Sequence, residues 1–258
     1  MDLTVEELVD KAGKIIEKEP RLIVLPSDGK VVFVGDTHGD LEASREVIRQ
    51  YLRRSYRIVF LGDYVDRGAD SEGNIQYLLG LKLEHPEAIF LLAGNHEGFM
   101  VKPFDPSSFW GSLSFEERNR FGFLFSKFPL AATTQNGILA VHGALPDLKS
   151  LEEIGGVELG DENWDRIVWG DFAEEEADFL GDLWGRPQFG RAYFERMMER
   201  YQKRVLLRSH QPHAPLRMFD NRCITIFTSR AYLPIRTVAI ADLEKEIRSS
   251  EDLALERV

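Results

Sequence analysis

Short runs of apolar, mostly β-branched residues recur along the chain, and a polar turn follows each run directly. Val31 to Val34, Ile58 to Leu61 and Ile89 to Ala93 are the first three runs, and the helix-like stretches 41–54 and 72–84 separate them. Strands joined through a helix run parallel, so this βαβαβ order predicts a parallel sheet with helices on its faces. Parallel strands end at one edge of their sheet, where ligands bind in open α/β folds. The sequence therefore predicts a site built from these turns.

Two later runs, Ile138 to Val141 and Val205 to Leu207, are also followed by polar turns. The five turns together contain the candidate site residues Asp36, His38, Asp63, Asn95, His96, His142 and His210. Neutral imidazole and carboxylate oxygen are ligands that suit Zn, Mn and Fe, and a carboxylate between two sets of ligands bridges two ions. Two ions roughly 3.5–4 Å apart favour in-line displacement at phosphorus. The pattern predicts a binuclear metal site.

The remaining segments have their own patterns. Residues 1–20 contain a predicted helix, and residues 101–113 read as an ordered loop over the site. Residues 223–228 and 237–241 read as strands without a long helix between them, which predicts antiparallel pairing or a second sheet. For residues 243–258 we expect a polar helix or a frayed tail.

Composition excludes several classes of function. The chain has 258 residues and a formal net charge of −11, which disfavours a nucleic-acid binder because such proteins neutralise phosphates with Lys and Arg. A single cysteine excludes an intramolecular disulfide and a thiolate metal cluster within one chain. The amino terminus begins Met-Asp-Leu-Thr-Val-Glu-Glu, without an export signal, and the apolar runs fall far short of the roughly 20 residues that span a membrane. We therefore expect no membrane partner and a cytoplasmic location.

Four blocks of residues stand at the ends of predicted strands: Gly35-Asp36-Thr37-His38-Gly39, Gly62-Asp63-Tyr64-Val65-Asp66-Arg67-Gly68, Gly94-Asn95-His96-Glu97 and His142-Gly143. In this order they resemble the metallophosphoesterase signature, and specifically the PPP family of protein serine/threonine phosphatases. The likeness continues through residues 167–171, 185–190, 209–211 and 227–232, and it covers roughly residues 30–240.

This resemblance implies an α/β metallophosphoesterase (calcineurin-like) fold, with two central mixed β-sheets flanked by helices in four layers. It implies one catalytic domain over residues 1–258, with a PPP core over 30–240. The implied reaction is hydrolysis of phosphoserine and phosphothreonine monoesters in phosphorylated proteins, by in-line attack of hydroxide bound to the metals. Because the chain has no long extension, we expect a minimal enzyme of the prokaryotic or archaeal type.

The resemblance also implies roles for individual residues. The first metal is expected on Asp36, His38 and Asp63, and the second on Asp63, Asn95, His142 and His210. Two divalent ions are expected, Mn²⁺ in vitro with Fe or Zn as alternatives. His96 is expected to act as general acid with Asp66 as its partner, and we expect that carboxylate to raise the pKa of His96.

Substrate contacts follow from the same resemblance. Arg67 and Arg186 are expected to clamp the phosphate, with Arg191 as the alternative to Arg186, and Asn95 and Tyr232 are expected to contact the substrate. Guanidinium forks match phosphate oxygens bidentately. His213 is a ligand alternative to His210.

Other residues have structural interpretations. Phe109, Trp110 and Trp184 are expected to anchor loops, Asp171 to Asp178 to form a solvated loop, and His85 to lie in a surface turn. Ser229 stands six positions after Cys223, where a cysteine-dependent phosphatase has arginine, so Cys223 is expected to be a buried strand residue.

The sequence departs from the PPP pattern at three places. Ala93 replaces the usual arginine before Gly-Asn-His-Glu, Ala144 replaces a common glycine, and Arg230-Ala231 replace the usual Pro-Asn before Tyr232. The last departure predicts a change of loop shape and of substrate preference.

Several alternatives remain open. A phosphodiesterase or dinucleoside polyphosphate hydrolase shares the first blocks, and a catalytically silent scaffold would retain the fold. Activity on phosphotyrosine is a further alternative. The sequence does not determine the physiological substrate, the native metal pair, the oligomeric state or a regulatory subunit.

Overall fold

The computed structural model describes residues 3–52 and 56–258. Among these residues the α-helices are α1 (Val5–Ile16), α2 (Leu41–Tyr51), α3 (Ser71–Glu84), α4 (Ser108–Ser112), α5 (Phe115–Phe125), α6 (Glu162–Trp169) and α7 (Arg191–Arg200). The strands are β1 (Leu22–Val24), β2 (Lys30–Val34), β3 (Tyr56–Phe60), β4 (Ile89–Leu91), β5 (Ala131–Thr133), β6 (Ile138–Val141), β7 (Asp171–Phe172), β8 (Phe179–Leu183), β9 (Arg186–Phe189), β10 (Val205–Arg208), β11 (Arg217–Met218), β12 (Cys223–Thr225), β13 (Thr237–Asp242) and β14 (Ala254–Arg257). Two short 3₁₀ helices span Leu151–Gly156 and Ser250–Asp252.

The first large sheet has the strand order β14-β13-β2-β3-β4. Strands β2, β3 and β4 are parallel and are joined through α2 and α3, which confirms the predicted βαβαβ opening. Helix α2 ends at Tyr51, and residues 53 and 54 of the predicted 41–54 stretch lie outside the described residues. Helix α1 lies within the predicted segment 1–20, with the side chains of Thr4 and Glu7 forming a capping box at its start.

The prediction of a polar helix or frayed tail over residues 243–258 is wrong. Strand β14 pairs antiparallel with β13, with Val238 opposite Glu256 and Ile240 opposite Ala254. The short 3₁₀ helix that precedes β14 leads into Leu253, which is 4% exposed. This segment gains backbone hydrogen bonds by pairing with the edge of β13, and the polarity of the segment itself does not reveal that edge.

The second large sheet has the order β1-β5-β6-β10-β12-β11. Strand β10 is parallel to both β6 and β12, whereas β5 pairs antiparallel with β6 and β11 pairs antiparallel with β12. Both large sheets are therefore mixed, as predicted. Residues 223–228 contain β12 in this sheet and residues 237–241 lie in β13 of the first, where β13 is antiparallel to β2.

The two large sheets face each other across an apolar layer. Val31 and Phe33 of β2 and Ile138 and Ala140 of β6 belong to this inner cluster. The alternate residues of the same strands, such as Val32 and Leu139, belong to the cluster that contains the buried faces of the helices. Because successive strand residues point to opposite faces, each sheet is covered on both sides, and the predicted four-layer order is confirmed.

A third, three-stranded sheet has the order β7-β9-β8 and was not predicted from the sequence. Strands β8 and β9 form a hairpin whose tip carries Trp184, which is 90% exposed. The expectation that Trp184 anchors a loop is therefore wrong, whereas Phe109 and Trp110 are buried as expected. Cys223 is buried in β12, also as expected. His85 and His213 are both exposed.

Within residues 3–52 and 56–258, no helix combines the length and the apolar character that crossing a membrane requires.

Candidate metal centre

The loops after β2 and β3 are held together by backbone hydrogen bonds. The Asp63 carbonyl accepts hydrogen bonds from the N–H groups of Thr37 (3.1 Å) and His38 (2.8 Å). His38 and Asp63 have φ values of 43° and 54°, and Asp66 has 65°. Left-handed backbone at non-glycine residues costs on the order of 1–3 kcal/mol each and persists only where surrounding contacts impose it. These turns are strained where the candidate ligands lie.

Glu97 fastens the loop after β3 to the loop after β4. Its buried carboxylate accepts hydrogen bonds from the N–H groups of Asp63 (2.8 Å), Gly94 (2.9 Å) and Tyr64 (3.0 Å). Burial and the nearby Asp63 charge raise the pKa of Glu97 to about 7, although the three N–H groups oppose that rise. This role of Glu97 was not predicted from the sequence. Glu97 stands in the same block as Asn95, but its contacts with Asp63 and Tyr64 join segments that are distant along the chain.

Close backbone approach requires glycine at two of these turns. A Cβ atom at Gly94 would overlap the carboxylate of Asp63, and one at Gly68 would overlap the carbonyl of His38. Any larger residue at either position would push apart the loops that carry the candidate ligands.

Asp36, His38 and Asp63 form the first group of candidate ligands. His38 Nε2 lies 3.6 Å from Asp36 Oδ2 and 3.6 Å from Asp63 Oδ2. His38 Nδ1 lies 3.0 Å from the carbonyl of Val65, to which it donates, so Nε2 is left as the nitrogen that faces the two carboxylates. Asp36 Oδ2 is buried and has no hydrogen-bond partner among the described residues. An orphaned buried carboxylate oxygen beside an imidazole nitrogen fits a bound cation.

The second group converges on His142. Its Nε2 atom lies 3.5 Å from Asp63 Oδ2, 3.2 Å from Asn95 Oδ1 and 3.1 Å from His210 Nδ1. The other ring nitrogen, Nδ1, donates to the carbonyl of Leu61 over 2.9 Å. Asp63 Oδ2 thus belongs to both groups. The structure brings all six sequence-predicted metal ligands together, and the exposed alternative His213 lies on the surface instead.

The electrostatics of the cluster also suit cations. Burial opposes the charged imidazole of His38, but Asp36 and Asp63 outweigh it and raise the pKa of His38 to about 9. In the same way burial is outweighed by Asp63 and Asp36 at His142, whose pKa is raised. Burial would raise the pKa of Asp63, but His142, His96 and His38 hold it well below its usual range. The buried carboxylates create a field that favours positive charge at this point.

His96 and Asp66 form a hydrogen-bonded pair at the edge of the cluster. His96 Nδ1 lies 2.8 Å from Asp66 Oδ2, and Asp66 Oδ1 accepts the N–H of Phe109 over 2.7 Å. His96 Nε2 lies 3.9 Å from Asp63 Oδ2. Asp66 acts to raise the pKa of His96, as expected, but the pKa of His96 is nevertheless below its ordinary value, so the expectation of a raised pKa is wrong. Burial lowers the pKa of His96 by more than Asp63 and Asp66 raise it.

Residues 101–113 lie against this pair, as predicted. The Phe104 ring centroid is 4.4 Å from that of His96, and the Arg67 guanidinium lies 5.9 Å from the Phe104 ring. Tyr232 lies beside His38, with its ring centroid 5.3 Å from that of His38. Arg67 is exposed, and the sequence analysis had not singled out Phe104. Arg67, Phe104 and Tyr232 thus lie next to His96 and His38 at the border of the candidate ligands.

Arg186 reaches the cluster from the three-stranded sheet. Its Nε and Nη2 atoms donate to the two oxygens of Asp171 over 2.8 and 2.7 Å, and Asp171 Oδ1 lies 3.7 Å from His210 Nε2. Asp171 is 5% exposed, so the prediction of a solvated loop over Asp171 to Asp178 is wrong at its first residue. The alternative Arg191 pairs instead with acidic residues of the surface, among them Glu174 and Asp220.

Ser209 supports the site in a way that the sequence analysis missed. Its hydroxyl accepts the N–H of Asp36 over 2.9 Å and donates to the carbonyl of Ile226 over 2.6 Å. Arg208, also fully buried, donates to the carbonyls of Gly143 and Gly170. The end of β10 and the residue after it thereby fix the loops after β2 and β6, through partners that are distant in sequence.

The structure is thus an α/β sandwich of two mixed sheets that gathers imidazole and carboxylate side chains, which could hold metal ions, at one edge. The chain belongs to the calcineurin-like phosphoesterase family, whose model matches residues 29–214. The prediction of the metallophosphoesterase fold is confirmed.

Curated relatives agree with this family. The chain is 28% identical over 229 residues to an Encephalitozoon cuniculi protein named "probable serine/threonine-protein phosphatase", in an alignment that covers 81% of this chain and 48% of the relative. It is 29% identical to a Candida albicans protein named as a PP2A-like serine/threonine-protein phosphatase, over 89% of this chain and 58% of that one. The chain thus spans about half the length of these two relatives.

Solved structures show the same fold. A protein serine/threonine phosphatase from Saccharomyces cerevisiae superposes with a TM-score of 0.81 at 23% identity, over 98% of this chain and 88% of that chain. A cold-active protein-tyrosine phosphatase of a Shewanella species superposes with a TM-score of 0.60 at 16% identity, over 95% of this chain and 84% of that chain.

Proposed function

We propose that this protein hydrolyses phosphoserine and phosphothreonine monoesters in phosphorylated proteins, with the help of two divalent metal ions. The observation that carries the proposal is the position of one oxygen, Asp63 Oδ2. It lies 3.6 Å from His38 Nε2, 3.5 Å from His142 Nε2 and 3.9 Å from His96 Nε2. The Asp63 carboxylate therefore lies next to both groups of candidate ligands and next to His96, the candidate general acid. The similarity to relatives named serine/threonine phosphatases supports the substrate class.

In this proposal the first ion is held by Asp36, His38 and Asp63, and the second by Asp63, Asn95, His142 and His210. When bound, the ions supply Lewis-acid stabilisation of phosphoryl oxygens and a water of lowered pKa. The chain orients the candidate ligands. The Val65 carbonyl accepts from His38 Nδ1 and the Leu61 carbonyl from His142 Nδ1, so that each Nε2 atom faces the Asp63 carboxylate, where it would be available to an ion.

His96 is proposed as the general acid that protonates the leaving serine or threonine oxygen. Asp66 fixes the ring through Nδ1, which leaves Nε2 as the nitrogen that carries the transferred proton. Burial lowers the pKa of His96, while the Asp63 and Asp66 carboxylates oppose that shift and favour the protonated form that a general acid requires. An alkoxide is a poor leaving group, and proton delivery in the transition state contributes about 10²–10⁴-fold.

Arg67, Arg186, Asn95 and Tyr232 are the proposed substrate contacts. Asp171 binds Nε and Nη2 of Arg186, which orients the guanidinium and leaves Nη1 as a donor for a phosphate oxygen. Arg67 is exposed, and its side chain contacts Tyr232. Two guanidinium groups, one at the start of β9 and one in the loop after β3, would hold the phosphoryl oxygens while the ester bond breaks.

The donor set of imidazole, carboxylate and amide oxygen suits Mn²⁺, Fe and Zn alike. We propose Mn²⁺ as the ion that supports activity in vitro, and a cytoplasmic location for the protein.

Phosphate release from a phosphothreonine peptide tests this function. Protein stripped with a chelator is assayed with and without Mn²⁺, with a phosphotyrosine peptide and diadenosine tetraphosphate as parallel substrates. Metal-dependent turnover of the phosphothreonine peptide is the expected result. Cleavage of the dinucleotide without cleavage of the peptide would indicate a dinucleoside polyphosphate hydrolase instead of a protein phosphatase. Inactivity on all substrates with metals bound would favour a silent scaffold.

A further inference from the structure

A second cleft adjoins the candidate active site at Arg67. It has a volume of about 550 Å³ and lies between the loop that begins α2, the loop that begins α3 and residues 229–231. Arg67, Arg230 and Arg236 line it, together with the acidic residues Asp40, Glu42 and Asp70. Arg67 belongs both to the candidate active site and to this cleft. A substrate peptide whose phosphate binds at Arg67 would therefore extend into the cleft.

The acidic residues of the cleft already have partners. Arg236 donates to Asp40 Oδ1 over 2.7 Å and to Glu42 Oε2 over 2.6 Å. Asp70 Oδ1 accepts the N–H of Gly73 over 2.8 Å and so caps α3. Arg236 partly neutralises Asp40 and Glu42, and the N-terminus of α3 partly neutralises Asp70. These contacts reduce the repulsion between the three carboxylates and an anion that enters the cleft.

Arg230 differs from Arg236 in this respect. Its backbone N–H donates to Asp40 Oδ2 over 3.0 Å, and the next N–H, of Ala231, donates to the hydroxyl of Ser229 over 3.0 Å. The backbone that carries Arg230 is thus held in place. Its side chain is exposed, and among the described residues no carboxylate forms an ion pair with its guanidinium group.

We propose that Arg230 determines specificity by binding an anionic side chain, a carboxylate or a phosphate, next to the phosphorylated residue of the substrate. The inference rests on the proposed function, since it requires a phosphorylated peptide with its phosphate at Arg67. An extended peptide advances about 3.3–3.6 Å per residue, so the side chains that flank the phosphorylated residue are those that reach the adjoining cleft. A guanidinium group that is fixed at its backbone and has no internal partner among the described residues pairs with either anion.

Steady-state kinetics on matched peptides tests the proposal. The Mn²⁺-loaded protein is assayed on a phosphothreonine peptide with glutamine on both sides, and on peptides in which one glutamine is replaced by glutamate, phosphoserine or lysine. We expect the wild-type kcat/KM to be about 1.5- to five-fold higher for the glutamate peptide on one side, the range expected for a solvent-exposed ion pair. A larger gain with phosphoserine than with glutamate would identify phosphate as the preferred anion.

Variants distinguish a specific effect of the Arg230 side chain from a general effect of the protein's net charge. Arg230→Ala should bring the glutamate-to-glutamine ratio close to one, and Arg230→Glu should favour the lysine peptide. The control is Arg248→Ala, which removes the same charge from an exposed residue paired with Glu246 outside the cleft. It should keep the wild-type ratio.

Two results would overturn the inference while the proposed function stands: equal wild-type turnover of the glutamate and glutamine peptides, or a ratio that survives in Arg230→Ala. If metal-loaded wild-type protein hydrolyses none of the phosphothreonine peptides, the proposed function itself fails.

Discussion

Replacing Asp66 with asparagine tests the proposed acid more sharply than removing His96 itself. Asp66 is fully buried and accepts two hydrogen bonds, from the Phe109 N–H and from His96 Nδ1. An asparagine keeps its carbonyl oxygen toward Phe109, so the loop over the site retains its contact. Its amide group then replaces the carboxylate oxygen that stabilises the protonated imidazole of His96.

The size of the effect follows from that one contact. A hydrogen bond between charged partners at 2.8 Å contributes about 1.5–3 kcal/mol. At about 1.36 kcal/mol for each factor of ten, the loss in kcat/KM on a phosphothreonine peptide is about 10- to 150-fold. Since Asp66 acts to raise the pKa of His96, its loss lowers that pKa further, and activity should begin to fall at a lower pH than in the wild type.

Steady-state kinetics on two substrates measures this effect. Nitrophenolate is a good leaving group and needs little protonation, so nitrophenyl phosphate should be affected much less than the peptide. In a protein that already carries His96→Asn, Asp66→Asn should cause little further loss in kcat/KM on the peptide, because the two residues act as a unit. Equal losses on both substrates, or additive losses in the double variant, would refute the acid role and leave Asp66 a structural residue.

Three further predictions concern the metals, a buried ion pair and the thiol. Asp63→Asn retains an oxygen for the His96 N–H but loses the shared charge, so metal analysis should find the binuclear site empty; two bound ions per chain would contradict the ligand assignment. Glu19→Gln removes the carboxylate paired with the fully buried Lys82, which should cost about 3–5 kcal/mol in the free energy of unfolding at pH 7. Burial lowers the pKa of Lys82, and the unfolded state then binds more protons, so this loss should shrink as the pH rises toward 10 in denaturant titrations; a constant loss would refute the argument. Burial raises the pKa of Cys223 to about 12, so a thiol reagent should modify the protein only at its rate of unfolding, and fast labelling of folded protein would contradict this.

The sequence determined the parts of the fold that depend on short-range patterns. The apolar run Val31 to Val34 and the helix-like stretch that follows predicted β2 and α2, and the blocks at Asp36, Asp63 and His142 predicted which loops carry candidate ligands. These features extend over a few residues each, so a local window contains them. The same blocks carried the resemblance that indicated the fold class.

Only the tertiary structure decided what depends on partners far along the chain. Asp171 looked like the start of a solvated acidic loop, but Arg186, fifteen residues later, and the nearby His210 give it a buried position. Residues 254–257 form β14 because they pair with an edge of β13 that no other strand of the described residues occupies. His96 has a lowered pKa because desolvation by the surrounding loops outweighs the Asp66 carboxylate.

One physical cause explains why some features were predictable from the sequence and others were not. The sequence by itself determined the periodicities, the turns and the identity of the ligand-bearing loops, because those depend on neighbours along the chain. Burial, desolvation and ion pairing depend on which distant segments pack together, so the pKa of His96, the partner of Arg186 and the exposure of Arg230 were decided only when the two sheets and their loops had assembled.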